Sequence, residues 1–139
     1  LHQNLFSKLM QITRIEDFYA FFSVAISVFW QHHYTFETTS KKTPKKLTKP
    51  FVDLLLINTI IPLKFVFEKQ RGIVNEVSIL QILYQIPPEK NSIISKFEEL
   101  GISSQSAFDT QALLELKNSY CASKGCLGCA IGNSILKKG

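Results

Sequence analysis

Pro50-Phe-Val-Asp-Leu-Leu-Leu-Ile-Asn-Thr-Ile-Ile-Pro-Leu-Lys-Phe-Val-Phe67 is the stretch whose reading decides the fold. Pro50 suits the first turn of a helix, where a missing N–H costs nothing, with Thr48 or Lys49 just before it. Leu54, Leu55, Leu56, Ile57, Ile60 and Ile61 make the helix apolar nearly all round. A helix of that kind belongs in the centre of a core. Pro62 should kink it or end its first half, because proline has no N–H and its ring clashes with the carbonyl of Asn58.

Outward from this stretch the periodicity stays helical. Leu5, Phe6, Leu9, Met10 and Ile12 predict a helix near residues 3–12, and Ile15 to Phe22 a second, with Thr13 as its N-cap and Glu16 and Asp17 in its first turn. Residues 23–36, rich in β-branched and aromatic side chains, read as irregular or briefly extended. Residues 39–49 form a polar loop punctuated by Pro44. Asn75 caps a helix that stops at Pro87-Pro88, and Glu89 to Leu100 gives another, closed by Gly101 at the C′ position. Ser106 or Asp109 then caps a helix that runs into a C-terminal cysteine-rich loop, and a short helix over about 130–136 follows. The expected fold is all-α: an orthogonal bundle of six to seven short helices in a single domain spanning residues 1–139.

The chain has 139 residues, of which 45% are hydrophobic and 12% aromatic, enough apolar surface to exclude disorder. No unbroken apolar run approaches the roughly 18 residues of a membrane span, so no membrane partner is expected. The first residues, Leu1-His2-Gln3-Asn4, lack a basic n-region and a cleavage site, which suggests a piece of a longer protein. Three cysteines are an odd number, and with no secretory signal they point to reduced thiols and a cytoplasmic location.

Three groups carry candidate chemistry. Cys121, Cys126 and Cys129 stand in C-x4-C-x2-C spacing, which can turn thiolates toward one metal ion; zinc fits better than an iron–sulfur cluster, and a fourth local ligand is missing. Plain packing thiols or a disulfide are the alternatives. His33 could supply the distant fourth ligand, or be an ordinary histidine beside Trp30 and Tyr34. Lys41, Lys42, Lys45, Lys46 and Lys49 fall within nine positions and account for the whole formal net charge of +5. Such a run can neutralise phosphates of a nucleic acid, although it can also be simply solvated, and no aromatic residue interleaves it. No hydrolase, metalloprotease or nucleotide-binding signature is present, and the carboxylate pairs Glu16-Asp17 and Glu98-Glu99 diverge around their helices. No catalytic residue is assigned.

Gln111-Ala112-Leu113, Leu116-Lys117-Asn118, Tyr120-Cys121, Cys126-Leu127 and Cys129-Ala-Ile-Gly132 resemble the closing segment of an uncharacterised bacterial family, domain of unknown function number twenty-eight fifty-one. The run from Trp30 through His33, Tyr34 and Phe36, Ile57-Asn58-Thr59 before Pro62, and Glu89-Lys-Asn91 fit the same family, while Thr110 stands where that family more often has Ser. The resemblance implies the C-terminal third or so of a longer protein, whose remainder would be this segment's partner and looks loosely like a restriction-type nuclease. A looser likeness links the C-terminal cysteines to the iron–sulfur loop of endonuclease III-type glycosylases, but the first gap here is shorter and the fourth cysteine is absent. Two functions follow: a non-catalytic helical module with a structural metal site, or the nucleic-acid-binding part of a nuclease-like enzyme.

Overall fold

The computed structural model describes residues 4–43, 45–73 and 75–137. Pro44 and Gln3, placed by sequence in the lysine-rich loop and at the start of the first helix, lie outside the described residues. The chain is 64% helical and, among the described residues, forms no strand, so the fold is all-α as expected. Eight helices are described. They are α1 (Leu5–Gln11), α2 (Ile15–Phe22), α3 (Val28–Gln31), α4 (Lys49–Gln70), α5 (Glu76–Gln85), α6 (Ser92–Glu99), α7 (Ala107–Glu115, prolonged by a π-helical stretch Leu116–Cys121) and α8 (Ala130–Leu136). The helix beyond the expected six or seven is α3, a single turn inside the segment read as irregular. The chain divides into two compact units, Leu1–Ile82 and Leu83–Gly139.

In the first unit α4 is the central element. It is α-helical over Lys49–Leu55, widens to a π-helix over Leu56–Ile60, and resumes as an α-helix over Ile61–Gln70. The Ile61 N–H bonds to Leu56 O, five residues back. This wide turn keeps the Pro62 ring off the carbonyl four residues before it, the usual way a helix accommodates an inserted irregularity. Pro62 therefore sits in the first turn of the resumed α-helical stretch and does not end the helix. Met10, Ile15, Phe18, Val52, Leu56, Ile57, Ile60, Ile61, Ile79 and Ile82 are buried. Each such side chain stabilises the folded state by about 1.5–3 kcal/mol relative to exposure.

An 18-residue window of α4 has a mean hydropathy of 1.7, so this helix is long and apolar enough to cross a membrane. That corrects the count of unbroken runs, which Asp53, Asn58, Thr59, Pro62 and Lys64 had interrupted. The two charges inside the helix are held by protein. Asp53 accepts a 2.5 Å hydrogen bond from the Tyr19 hydroxyl of α2. Burial, then the Asp53 carboxylate, push the Tyr19 phenol well above its ordinary value of 10. Lys64, only 1% exposed, donates to Met10 O in the last turn of α1 and lies 3.0 Å from Glu68 Oε1. That carbonyl is one of the four a helix C-terminus leaves unpaired, and a cation is favoured there. Glu68 also accepts the Asn75 N–H at 3.1 Å, just before α5. Burial alone would raise the Glu68 pKa; the bonds from Asn75 and Lys64 outweigh it and leave it lowered.

Caps set the helix ends. Asn4 accepts from Ser7 N–H at the start of α1, and Asn75 accepts from Ser78 N–H in the first turn of α5. The N-cap of α2 is Arg14 rather than Thr13, with no side-chain bond. Gly72 (φ 67°) and Gly101 (φ 81°) close α4 and α6 in the left-handed conformation. The next N–H in each case reaches back to the third-last carbonyl of its helix, Ile73 to Glu68 and Ile102 to Phe97.

In the second unit Asn91 caps α6 by accepting from Ile93 and Ile94 N–H, both at 3.0 Å. The helix therefore starts three residues later than Glu89, whose carboxylate instead accepts from the Gln111 side chain on α7. Ser106 and Asp109 form a reciprocal capping box at the start of α7. Thr110 is fully buried, its hydroxyl donating to Ala107 O at 3.0 Å, a bond that Ser could also make. Ile86, Ile94 and Ala107 form the apolar interior, and Tyr84 packs on Phe108 at 4.5 Å between ring centroids.

Lys64→Ala should cost about 3 kcal/mol in urea unfolding, because it strands a buried carbonyl and removes the cation facing Glu68. The contribution of Glu68 should be complete above its ordinary value of 4.5 and should disappear as pH falls through its lower folded value. In the variant this acid-side loss should shrink; an unchanged stability and acid profile would contradict the assignment.

Candidate functional site

The lysine segment is folded onto α3. His32 O accepts the Ser40 N–H at 2.6 Å, Gln31 O accepts the Thr43 N–H at 3.2 Å, and His33 pairs with Thr39 in an isolated antiparallel bridge. Beneath it, Phe29 stacks on the His33 ring at 4.0 Å and Trp30 meets Phe36 edge-on at 5.0 Å. Lys45 is half-buried, donating to His33 O while its ammonium sits 3.5 Å from the centre of the Tyr34 ring. Lys49 lies 4.8 Å from the centre of the Tyr19 ring. Aromatic residues absent from the lysine run in sequence are thus brought to it in space, where cation–π attraction fixes the two ammonium groups.

Two adjoining clefts open beside this segment, both within the first unit. The first, about 400 Å³, is lined by Tyr19, Phe22, Ser23, Val24, Ala25, Leu47 and Val52, with Lys46 and Lys49. The second, about 420 Å³, is lined by Val24, Ala25, Ile26, Gln31 and Thr43, with Lys42, Lys45 and Lys46. Val24, Ala25 and Lys46 line both. Among the described residues no carboxylate lines either cleft, so each combines apolar walls with lysine side chains. Four of the five lysines singled out by sequence line a cleft, and Lys41, also exposed, does not. The walls from residues 19 to 26 had no sequence signal of a site.

The other candidates are placed differently. His33 belongs to the first unit, and its Nδ1 donates to Phe29 O at 2.8 Å, which fixes the ring. All three cysteines belong to the second unit and are free thiols. The segment expected to be a cysteine-rich loop consists of a turn over 122–124 between a π-helical stretch and a short 3₁₀ turn. Cys121 ends the π-helical stretch, Cys126 opens a 3₁₀ turn over Cys126–Gly128, and Cys129 is the N-cap of α8. Cys121 and Cys126 are exposed and Cys129 is buried. Gly132 lies against the turn so closely that a Cβ there would meet Cys126 O at 2.5 Å. Asn133 fastens the same turn through Nδ2 to Leu127 O at 2.6 Å. Among the described residues, no group of three or more His, Cys, Asp or Glu side chains stands together as metal ligands would.

These observations define a helical protein whose first unit carries a lysine-rimmed double cleft. Residues 1–92 match the family described as "Protein of unknown function (DUF2851)", and the chain belongs to that family. Both clefts fall inside the matched span, whereas the cysteines lie beyond it. No curated protein and no solved structure matches the chain.

Thiol labelling should follow the exposure pattern, with Cys121 and Cys126 reacting rapidly and Cys129 at least about tenfold more slowly, at the rate of local opening. Gly132→Ala should narrow that gap by displacing α8 from the turn. Equal rates for all three thiols in the unaltered protein would show that the turn is not formed as described.

Proposed function

We propose that this chain is a non-catalytic helical module that binds nucleic acid, with Lys42, Lys46 and Lys49 contacting phosphates and Lys45 holding the segment in place. The observation that carries this reading is the double cleft, whose rim has four lysines and no carboxylate. Neutralised phosphates release condensed counterions, so lysines gathered on one concave surface favour a polyanion more than the same lysines dispersed in solvent would. Lys41, adjacent in sequence to Lys42, is exposed and would add to the long-range field. In this reading the partner expected from the family resemblance, the remainder of a longer nuclease-like chain, would supply any chemistry.

A structural zinc or iron–sulfur site at Cys121, Cys126, Cys129 and His33 is the weaker reading. Its support is the local cysteine spacing, and no three ligand side chains gather among the described residues.

Fluorescence anisotropy with single-stranded and duplex oligonucleotides, between roughly 50 and 200 mM salt, tests the proposal. Affinity should fall steeply with salt, with a slope of about −0.7 to −0.9 per phosphate contacted. Replacing Lys42, Lys46 and Lys49 together by Gln should weaken binding and flatten that slope by roughly 2–3. Lys45 is left intact in this variant because its ammonium holds the segment to His33 and Tyr34. Absence of binding at the lower salt, or an unchanged slope in the variant, would remove the idea.

A further inference from the structure

We infer that the two clefts recognise single-stranded rather than duplex nucleic acid, each lobe seating one unpaired base while Lys46 between them holds the connecting phosphate. The inference rests on the nucleic-acid reading above and deepens it. A charged surface that only tracks phosphates needs no cavities. This one has two, each within the size range of small-molecule sites and each walled by apolar side chains. A duplex keeps its bases stacked and paired, so it would reach the rim and leave the lobes empty. An unpaired base can enter, exchanging water for the aromatic and aliphatic wall of the first lobe or the aliphatic Val24, Ala25 and Ile26 of the second.

The arrangement of shared residues sets the geometry. Val24, Ala25 and Lys46 line both lobes, so a ligand that passes from one to the other passes Lys46. A base–phosphate–base step has that order of apolar, anionic and apolar parts. Lys49 lines the first lobe, and Lys42 lines the second beside the structurally engaged Lys45, so each base site has a further cation for the flanking phosphates. The lobes also differ in character. Tyr19, Phe22, Leu47 and Val52 give the first an aromatic and aliphatic wall beside Ser23, which suits stacking without base preference. The second includes Gln31 and Thr43, whose amide and hydroxyl types can hydrogen-bond a base edge, so any base preference should arise there.

Four probes separate the possibilities: oligothymidine of roughly a dozen nucleotides, a duplex of the same length, an abasic strand of the same length, and vesicles rich in anionic lipid. Oligothymidine should bind at least about tenfold more tightly than the abasic strand or the duplex. Ala25→Leu narrows the wall common to both lobes without changing charge, at a residue that is exposed and outside the core. It should lower oligothymidine affinity about tenfold and leave abasic-strand binding unchanged. If the duplex or the abasic strand binds as tightly as oligothymidine, or if Ala25→Leu changes nothing, the single-strand inference is wrong while the phosphate-binding reading survives. If no nucleic acid binds, both fail. Binding to the anionic vesicles alone would assign the lysines to a membrane surface and overturn both as well.

Discussion

The first unit hangs on the two charged side chains buried in its central helix. Lys64 and Asp53 would each cost several kcal/mol if left without partners in an apolar interior. Each is satisfied by a different neighbour. Lys64 takes the last turn of α1 through Met10 O, and Asp53 takes α2 through the Tyr19 hydroxyl. An apolar helix can slide or rotate against other apolar helices at little cost, whereas a buried charge tolerates few positions. The two pairings therefore fix where α1 and α2 lie along α4.

The same constraint reaches the clefts. Tyr19 is both the partner of Asp53 and a wall of the first cleft, and its ring faces the Lys49 ammonium. Val52, next to Asp53, is buried and lines the same cleft. The floor of the site is thus made from residues that also hold the core together, while the rim is made from a loop. That loop is positioned by one half-buried lysine, Lys45, and a few backbone bonds to α3. A floor packed into the core beneath a rim carried on a loop would suit the proposed binding of a flexible chain.

Much of this was legible in the sequence, for physical reasons that differ from residue to residue. The helical periodicity of α1, α2 and α4, the Asn75 cap, and Gly101 beyond α6 are local effects, and local effects are written in neighbouring residues. Pro62 was read correctly as a disturbance; that it would come with a π-helical turn over Leu56–Ile60 was not read. The buried state of Lys64 could not be read at all, since its partner Met10 lies 54 residues away. The lysine segment was visible as charge, and its concave, aromatic-backed setting was not, because Tyr19 and Tyr34 reach it through folding. The cysteine spacing suggested a ligand loop; the chain there forms a turn and a short 3₁₀ helix, against which Gly132 and Asn133 hold α8.

The most direct measurement of the central claim is to photo-crosslink a single-stranded oligonucleotide to the protein and map the attached residues by mass spectrometry. The account predicts adducts on the cleft walls and rim, in the peptides that carry Tyr19 to Ile26 and Lys42 to Lys49. Adducts confined to residues 83–139, or spread without preference over every lysine of the chain, would contradict it.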